Sequence, residues 1–109
     1  MDAAALKLSK MGGLSKMRQI SELCLTLGTQ MSIEDTWGSD ITTAASLHLA
    51  ASTPAPGVMT TCDLSHYVGP RLDPKAPSRS AGRIAPSDAP GLGVSPDLDV
   101  LGQPVAEYA

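Results

Sequence analysis

Apolar residues come in short runs broken by glycine and proline, and the period of the pattern changes from run to run. Ala3 to Leu8 is an apolar run interrupted by one lysine, and Gly12-Gly13 breaks it. Met17, Ile20, Cys24 and Leu27 then fall at helical spacing, with Gly28 placed to end the helix in a left-handed conformation. Met31 to Glu34 reads as a second strand. Ser39 or Asp40 is placed to cap a second helix carrying Ile41, Ala44, Ala45 and His48 along one face, which Pro54 and Pro56 terminate. Gly57 to Asp63 reads as a third strand. Beyond it lie Pro70, Pro74, Pro77, Pro86, Pro90, Pro96 and Pro104, a density that excludes long helices and central strands.

Strands alternating with helices predict an α/β fold with a parallel sheet. Lys7, Glu34 and Asp63 stand at or near the C-terminal ends of the three strands and recur about every 28 residues, a spacing that repeated eight times builds a (β/α)8 barrel of TIM type. Alternation along each strand agrees. Ala3, Ala5 and Lys7 share one face, with Leu6 and Leu8 opposite; Ser32 and Glu34 share a face, with Met31 and Ile33 opposite; and Met59, Thr61 and Asp63 are expected to share the face turned into the barrel. Three units cannot close a barrel. The pattern therefore predicts the C-terminal three β/α units of an incomplete barrel, residues 1–63, with upstream residues missing. Residues 64–109 form an irregular Pro/Gly-rich tail expected to pack on the barrel or on a missing capping domain.

Composition sharpens this picture. The 109 residues are 42% apolar but include only Trp37, Tyr67 and Tyr108 as aromatics and no Phe, so a self-sufficient core would be thin. A net charge of −3 with scattered lysines and arginines argues against a nucleic-acid partner. No run approaches the ~20 apolar residues of a membrane span. The N-terminus lacks a signal-peptide pattern, and Cys24 and Cys62 read as reduced thiols, so a cytoplasmic protein is expected.

Lys7 is the leading candidate for chemistry. It interrupts an apolar strand at a predicted barrel mouth, where a partly desolvated amine can act as a general base; the plainer alternative is a charge that protects an edge strand. Glu34 and Asp35 are neighbours on a strand and so point to opposite faces, one toward a pocket and the other bracing a loop. Trp37 can wall a pocket or stack on a cationic ligand, and Asp63 can bind a substrate ammonium or balance Lys7. Lys10 reads as a solvated loop charge and His48 as structural; His66 follows the third strand. No catalytic triad, phosphate loop or metal-ligand cluster stands out.

Asp2-Ala3-Ala4-Ala5-Leu6-Lys7, followed by Gly12-Gly13, resembles the sixth barrel strand and loop of the mandelate racemase / muconate lactonizing enzyme group of the enolase superfamily. Glu34-Asp35-Thr36-Trp37-Gly38-Ser39-Asp40 resembles its seventh strand and helix, and Pro90-Gly91-Leu92-Gly93-Val94 a segment after the eighth strand. The resemblance implies a magnesium-dependent enzyme that removes the proton α to a carboxylate, with Lys7 as a general acid/base. It also implies a small carboxylate substrate. Glu34 to Gly38 and Thr61 to Val68 are most similar to members acting on proline derivatives, which implies dehydration of cis-3-hydroxy-L-proline, or alternatively racemisation or epimerisation of proline betaine or an amino acid. Glu34, Asp35, Trp37 and Asp63 are then the expected substrate-binding residues. The metal carboxylates and the second catalytic lysine belong to earlier strands. No acid here is assigned to magnesium, its ligands being expected in the missing N-terminal part, and the 109 residues alone are expected to be inactive. The parent enzyme is expected to be a homo-oligomer. Two competing readings are a non-catalytic gene remnant and a small interaction protein that pairs its sheet edges with a partner.

Overall fold

The computed structural model describes residues 1–67 and 69–108. Three parallel strands, β1 (Ala3–Lys7), β2 (Gln30–Glu34) and β3 (Val58–Cys62), form one sheet in the order β1-β2-β3. Helix α1 (Leu14–Thr26) joins the first two and α2 (Ser39–Ser52) the last two. Short 3-10 turns follow β1 (Leu8–Lys10) and β3 (Leu64–Tyr67), and a single helical turn, α3, spans Leu98–Leu101.

Strand alternation sorts the side chains into two layers. Leu6, Met31 and Ile33 are buried and meet Met17 and Cys24 of α1 and Leu49 of α2 in one aliphatic core. Met17, Met31 and Ile33 are completely buried, and each contributes roughly 1.5–3 kcal/mol by leaving water. Unbranched methionines fill this space where a larger core would use rings. The opposite face, carrying Ala3, Ala5, Ser32 and Thr60, is partly or fully exposed and has no layer over it among the described residues.

Helix α1 ends as its glycine predicts. Gly28 sits at φ 68°, its N–H donates to Leu25 O at 3.1 Å, and Thr29 N–H donates to Cys24 O at 2.8 Å. These two bonds satisfy carbonyls that the helix end leaves open. A Cβ at Gly28 would meet nothing within 4 Å, so the cost of Gly28→Ala is purely conformational. The substitution is expected to lower stability by about 1–2 kcal/mol in urea unfolding.

The start of α2 differs from the expectation. Its N-cap is Gly38, with no side-chain cap, and Asp40 lies inside the first turn with its carboxylate turned toward the tail. The buried surface of α2 is also broader than one stripe, taking in Thr43, Ala44, Ala45, Ser46, Leu47 and Leu49, whereas Ile41 is exposed. The reason is that α2 has the sheet on one side and the Pro/Gly-rich segment on the other, and a helix covered on two sides loses a clean amphipathic period. Asp40 accepts hydrogen bonds from Arg71 Nε at 2.6 Å, Leu72 N at 2.8 Å and Asp73 N at 3.1 Å. Asp73 in turn accepts from the backbone N–H groups of Lys75 and Ser95, both at 2.8 Å. These two N–H bonds, Ser95's above all, hold its carboxyl below the usual carboxylate range.

Strand β3 carries one correction. Met31 pairs with Val58, but Ser32 pairs with Thr60 and Glu34 with Cys62, so a bulge skips Met59. The extra residue reverses the alternation beyond it. Met59, Thr61 and Asp63 therefore do not form the expected mouth-facing row. Cys62 takes the place beside Glu34, and Asp63 falls on the buried side.

Candidate active site

The C-terminal ends of the three strands bring Lys7, Glu34 and Cys62 into one row, since partners in a parallel ladder share a face. Lys7 Nζ lies 2.8 Å from Glu34 Oε2. The other carboxylate oxygen, Oε1, accepts a hydrogen bond from Ser32 Oγ at 2.9 Å. The lysine side chain is 36% exposed and the glutamate 19%, so the pair is open to solvent on one side and fixed on the other.

Charge follows this geometry. The hydrogen bond to Glu34 raises the Lys7 ammonium above its ordinary range, against a smaller opposing effect of burial. The same bond, helped by Ser32, lowers the Glu34 carboxyl. Among the described residues Cys62 and Asp35 add to the effect of Glu34 on Lys7. The pair stabilises the fold between the lowered range of Glu34 and the raised range of Lys7. Its contribution fades as pH falls through the first or rises through the second, and an exposed pair contributes little. Cys62 is pushed up, first by burial and then by neighbouring acids, and stays a thiol at neutral pH.

The other expected site residues sit around this row. Asp35 is fully buried on the opposite side of β2. Its Oδ2 accepts from Thr43 Oγ1 at 2.6 Å and from Ser65 N at 3.1 Å, which ties the end of β2 to α2 and to the turn after β3. Trp37 is 53% exposed, on the loop after β2, in a left-handed conformation at φ 58°. Asp63 is buried and its Oδ1 is gripped by Arg79; that contact, ahead of Tyr67, raises the arginine. His48 Nε2 meets Leu92 O at 3.2 Å, a link between α2 and the tail. His66 is exposed, edge-on to the Tyr67 ring.

Sequence reasoning missed Cys62, Ser32, Arg71 and Arg79. A bulge leaves no mark in residue periodicity. The two arginines reach partners across the fold, Arg71 at Asp40 and Arg79 at Asp63, and spacing along the chain does not encode such pairs.

The magnesium ion implied by the resemblance finds no cradle here. Among the described residues no three His, Cys, Asp or Glu side chains are grouped to hold a metal. Glu34 has both oxygens engaged, and Asp35 is turned into the interior. Among the described residues no helix is long and apolar enough to cross a membrane.

Comparison with known proteins bears on this arrangement directly. Residues 1–100 match the family model described as "Enolase C-terminal domain-like". The whole chain is 49% identical to the cis-3-hydroxy-L-proline dehydratase of Roseibium aggregatum, of which it covers 30%. It superposes with a TM-score of 0.90 on a mandelate racemase/muconate lactonizing enzyme from Roseovarius nubinhibens, at 40% identity over 99% of this chain and 29% of that one. A member of the enolase superfamily from the same organism, complexed with magnesium, gives 0.92 at 37% identity over 98% of this chain and 29% of that one. The chain thus spans about 30% of the length of the curated relative it matches over its full length. With a family model matched over residues 1–100 and these identities, the chain belongs to the enolase C-terminal domain-like family, within the mandelate racemase / muconate lactonizing enzyme group.

Proposed function

We propose that this chain forms one side of the active site of a magnesium-dependent dehydratase, and that Lys7 is its proton-transferring group in the loss of water from cis-3-hydroxy-L-proline. The observation that carries the reading is the Lys7 ammonium, standing at a strand's C-terminal end on the uncovered face of the sheet, in register with Glu34. The 49% identity to a dehydratase of that specificity favours the substrate. In this reading the three strands are a sector of a (β/α)8 barrel whose remaining strands cover the open face and carry the magnesium ligands. The Pro/Gly-rich segment packs outside it, against α2, through Arg71, Leu72, Asp73 and Leu92.

The residues take distinct parts. Lys7 moves the proton. Trp37 stands at the rim, where its ring can cover a substrate's cationic nitrogen. Asp35 and Asp63 act from behind the sheet, holding the strand ends through Thr43, Ser65 and Arg79, and so shape the substrate site without entering it. Magnesium, held by residues outside this chain, would supply charge stabilisation at the substrate carboxylate.

The test compares two proteins. The 109-residue chain by itself is expected to show no magnesium-dependent consumption of cis-3-hydroxy-L-proline. A chimera in which it replaces the matched 30% of the Roseibium aggregatum dehydratase is expected to consume it. A folded chimera that leaves this substrate untouched, while turning over another carboxylate, would refute the assignment.

A further inference from the structure

Two loops leave the strand ends, one after β2 and one after β3, and one piece of the Pro/Gly-rich segment holds both. The loop after β2 carries strain. Trp37 and Ser39 take left-handed backbone on either side of Gly38, at φ 58° and 65°. Such conformations persist in residues other than glycine only where the surroundings fix them. Here α2 fixes them: Thr42 Oγ1 donates to Gly38 O at 2.8 Å, and Asp40 in its first turn holds Arg71, Leu72 N and Asp73 N. Arg71 then donates through Nη2 to Ala76 O at 3.1 Å and Pro77 O at 3.3 Å, which folds residues 71–77 back on themselves. Two residues on, Arg79 reaches the other loop. Its Nη2 donates to Asp63 Oδ1, and its guanidinium lies over the Tyr67 ring, 5.9 Å from the centroid. One side chain thus bridges the start and the end of the 3-10 turn. Within that turn His66 N donates to Asp63 O at 3.0 Å, and Ser65 N donates to Asp35 Oδ2 at 3.1 Å, back at the end of β2.

We propose that residues 71–79 form a buckle that sets the two strand-end loops as one unit, and that Arg79 is its positioning residue, clasping Asp63 and Tyr67 so that the Leu64–Tyr67 turn keeps a fixed place relative to the Trp37 loop. The inference rests on the dehydration reading for what the loops close on. Arg79 touches neither the substrate nor the reacting atoms; it acts through the backbone of the turn. With the buckle fastened, both loops stand in place before the substrate arrives, and binding carries little ordering cost. With it undone, only the fraction of molecules that have both loops in place can bind, and the apparent affinity falls by that fraction. Proton transfer in the bound complex is untouched, because Lys7 is held by Glu34 on the strands themselves. A lysine in place of Arg79 would keep a charge beside Asp63, but a point charge lacks the planar fork that also covers the Tyr67 ring.

The chimera allows two readouts. Arg79→Ala is expected to raise KM for cis-3-hydroxy-L-proline about tenfold while kcat stays within about twofold, the split of a smaller binding-competent population with intact chemistry. Arg79→Lys should fall between Arg79→Ala and the parent. No change in KM, with or without a loss of kcat, would overturn the proposal. Amide hydrogen exchange followed by mass spectrometry reads the buckle without any turnover. Arg79→Ala should speed exchange about tenfold, the effect of losing a charge-assisted bond, in peptides covering residues 64–67 and in those covering residues 35–42. Strand β2, Gln30–Glu34, should stay as protected as in the parent. Faster exchange confined to residues 64–67 would overturn the coupling of the loops. Faster exchange throughout, β2 included, would make Arg79 a general prop of the fold and overturn its positioning role. A folded chimera that leaves hydroxyproline untouched would count against the dehydration reading, while the exchange pattern decides the buckle independently.

Discussion

Replacing Lys7 with Ala in the chimeric dehydratase should lower the rate of water loss about 100- to 10,000-fold, the range that a positioned general acid or base contributes. The effect should fall on kcat, because the lysine acts on the reacting atoms. It should come without unfolding, since Lys7 lies outside the aliphatic core that Leu6, Met31 and Ile33 form with the helices. Lys7→Arg should recover little: a guanidinium keeps the charge beside Glu34 but holds its proton too firmly to pass it on. A Lys7→Ala enzyme within tenfold of the parent would remove Lys7 from the chemistry and reduce it to a partner of Glu34.

The second large effect is on stability. Asp40→Ala should destabilise the chain by about 3 kcal/mol, because it removes one acceptor from three donors. Two of them, the N–H groups of Leu72 and Asp73, lose the bond that turns the tail onto α2. The third, Arg71, keeps its bonds to Ala76 O and Pro77 O at 3.1 and 3.3 Å but loses its counter-charge. At 32% exposure the guanidinium reaches some water, which keeps the cost below that of a fully buried orphaned charge. Urea unfolding gives the magnitude, and limited proteolysis between residues 71 and 97 should show the tail released first. A loss under about 0.5 kcal/mol, the level of an ordinary surface change, would mean that the tail is held by something other than Asp40.

The sheet and its two main helices are legible in the sequence because each has a period and a stop. Leu6, Met31 and Ile33 alternate with small or polar residues, and Met17, Ile20 and Cys24 repeat at helical spacing up to Gly28. The position of Lys7 at a strand end follows from the same alternation. What local pattern could not carry was the effect of a single inserted residue. The bulge at Met59 exchanges Asp63 for Cys62 on the open face, so an acid that reads as a substrate ligand becomes the buried partner of Arg79. Asp40 shows the same limit. Its type and place suit a helix cap, but its carboxylate is drawn to donors more than thirty residues away. The state of Lys7 also lay beyond reach, since the raised ammonium depends on a 2.8 Å contact between two strands.

The central claim is that this lysine-bearing strand end serves loss of water from a hydroxyproline, and product identity tests it most directly. Proton NMR of cis-3-hydroxy-L-proline incubated in deuterium oxide with magnesium and the chimera should show the signal of the proton on the hydroxyl-bearing C3 disappear as a dehydrated product forms, and Lys7→Ala should abolish that change. Deuterium appearing at C2 with the hydroxyl retained and the stereochemistry scrambled would contradict the account, and would make the chain part of a racemase or epimerase.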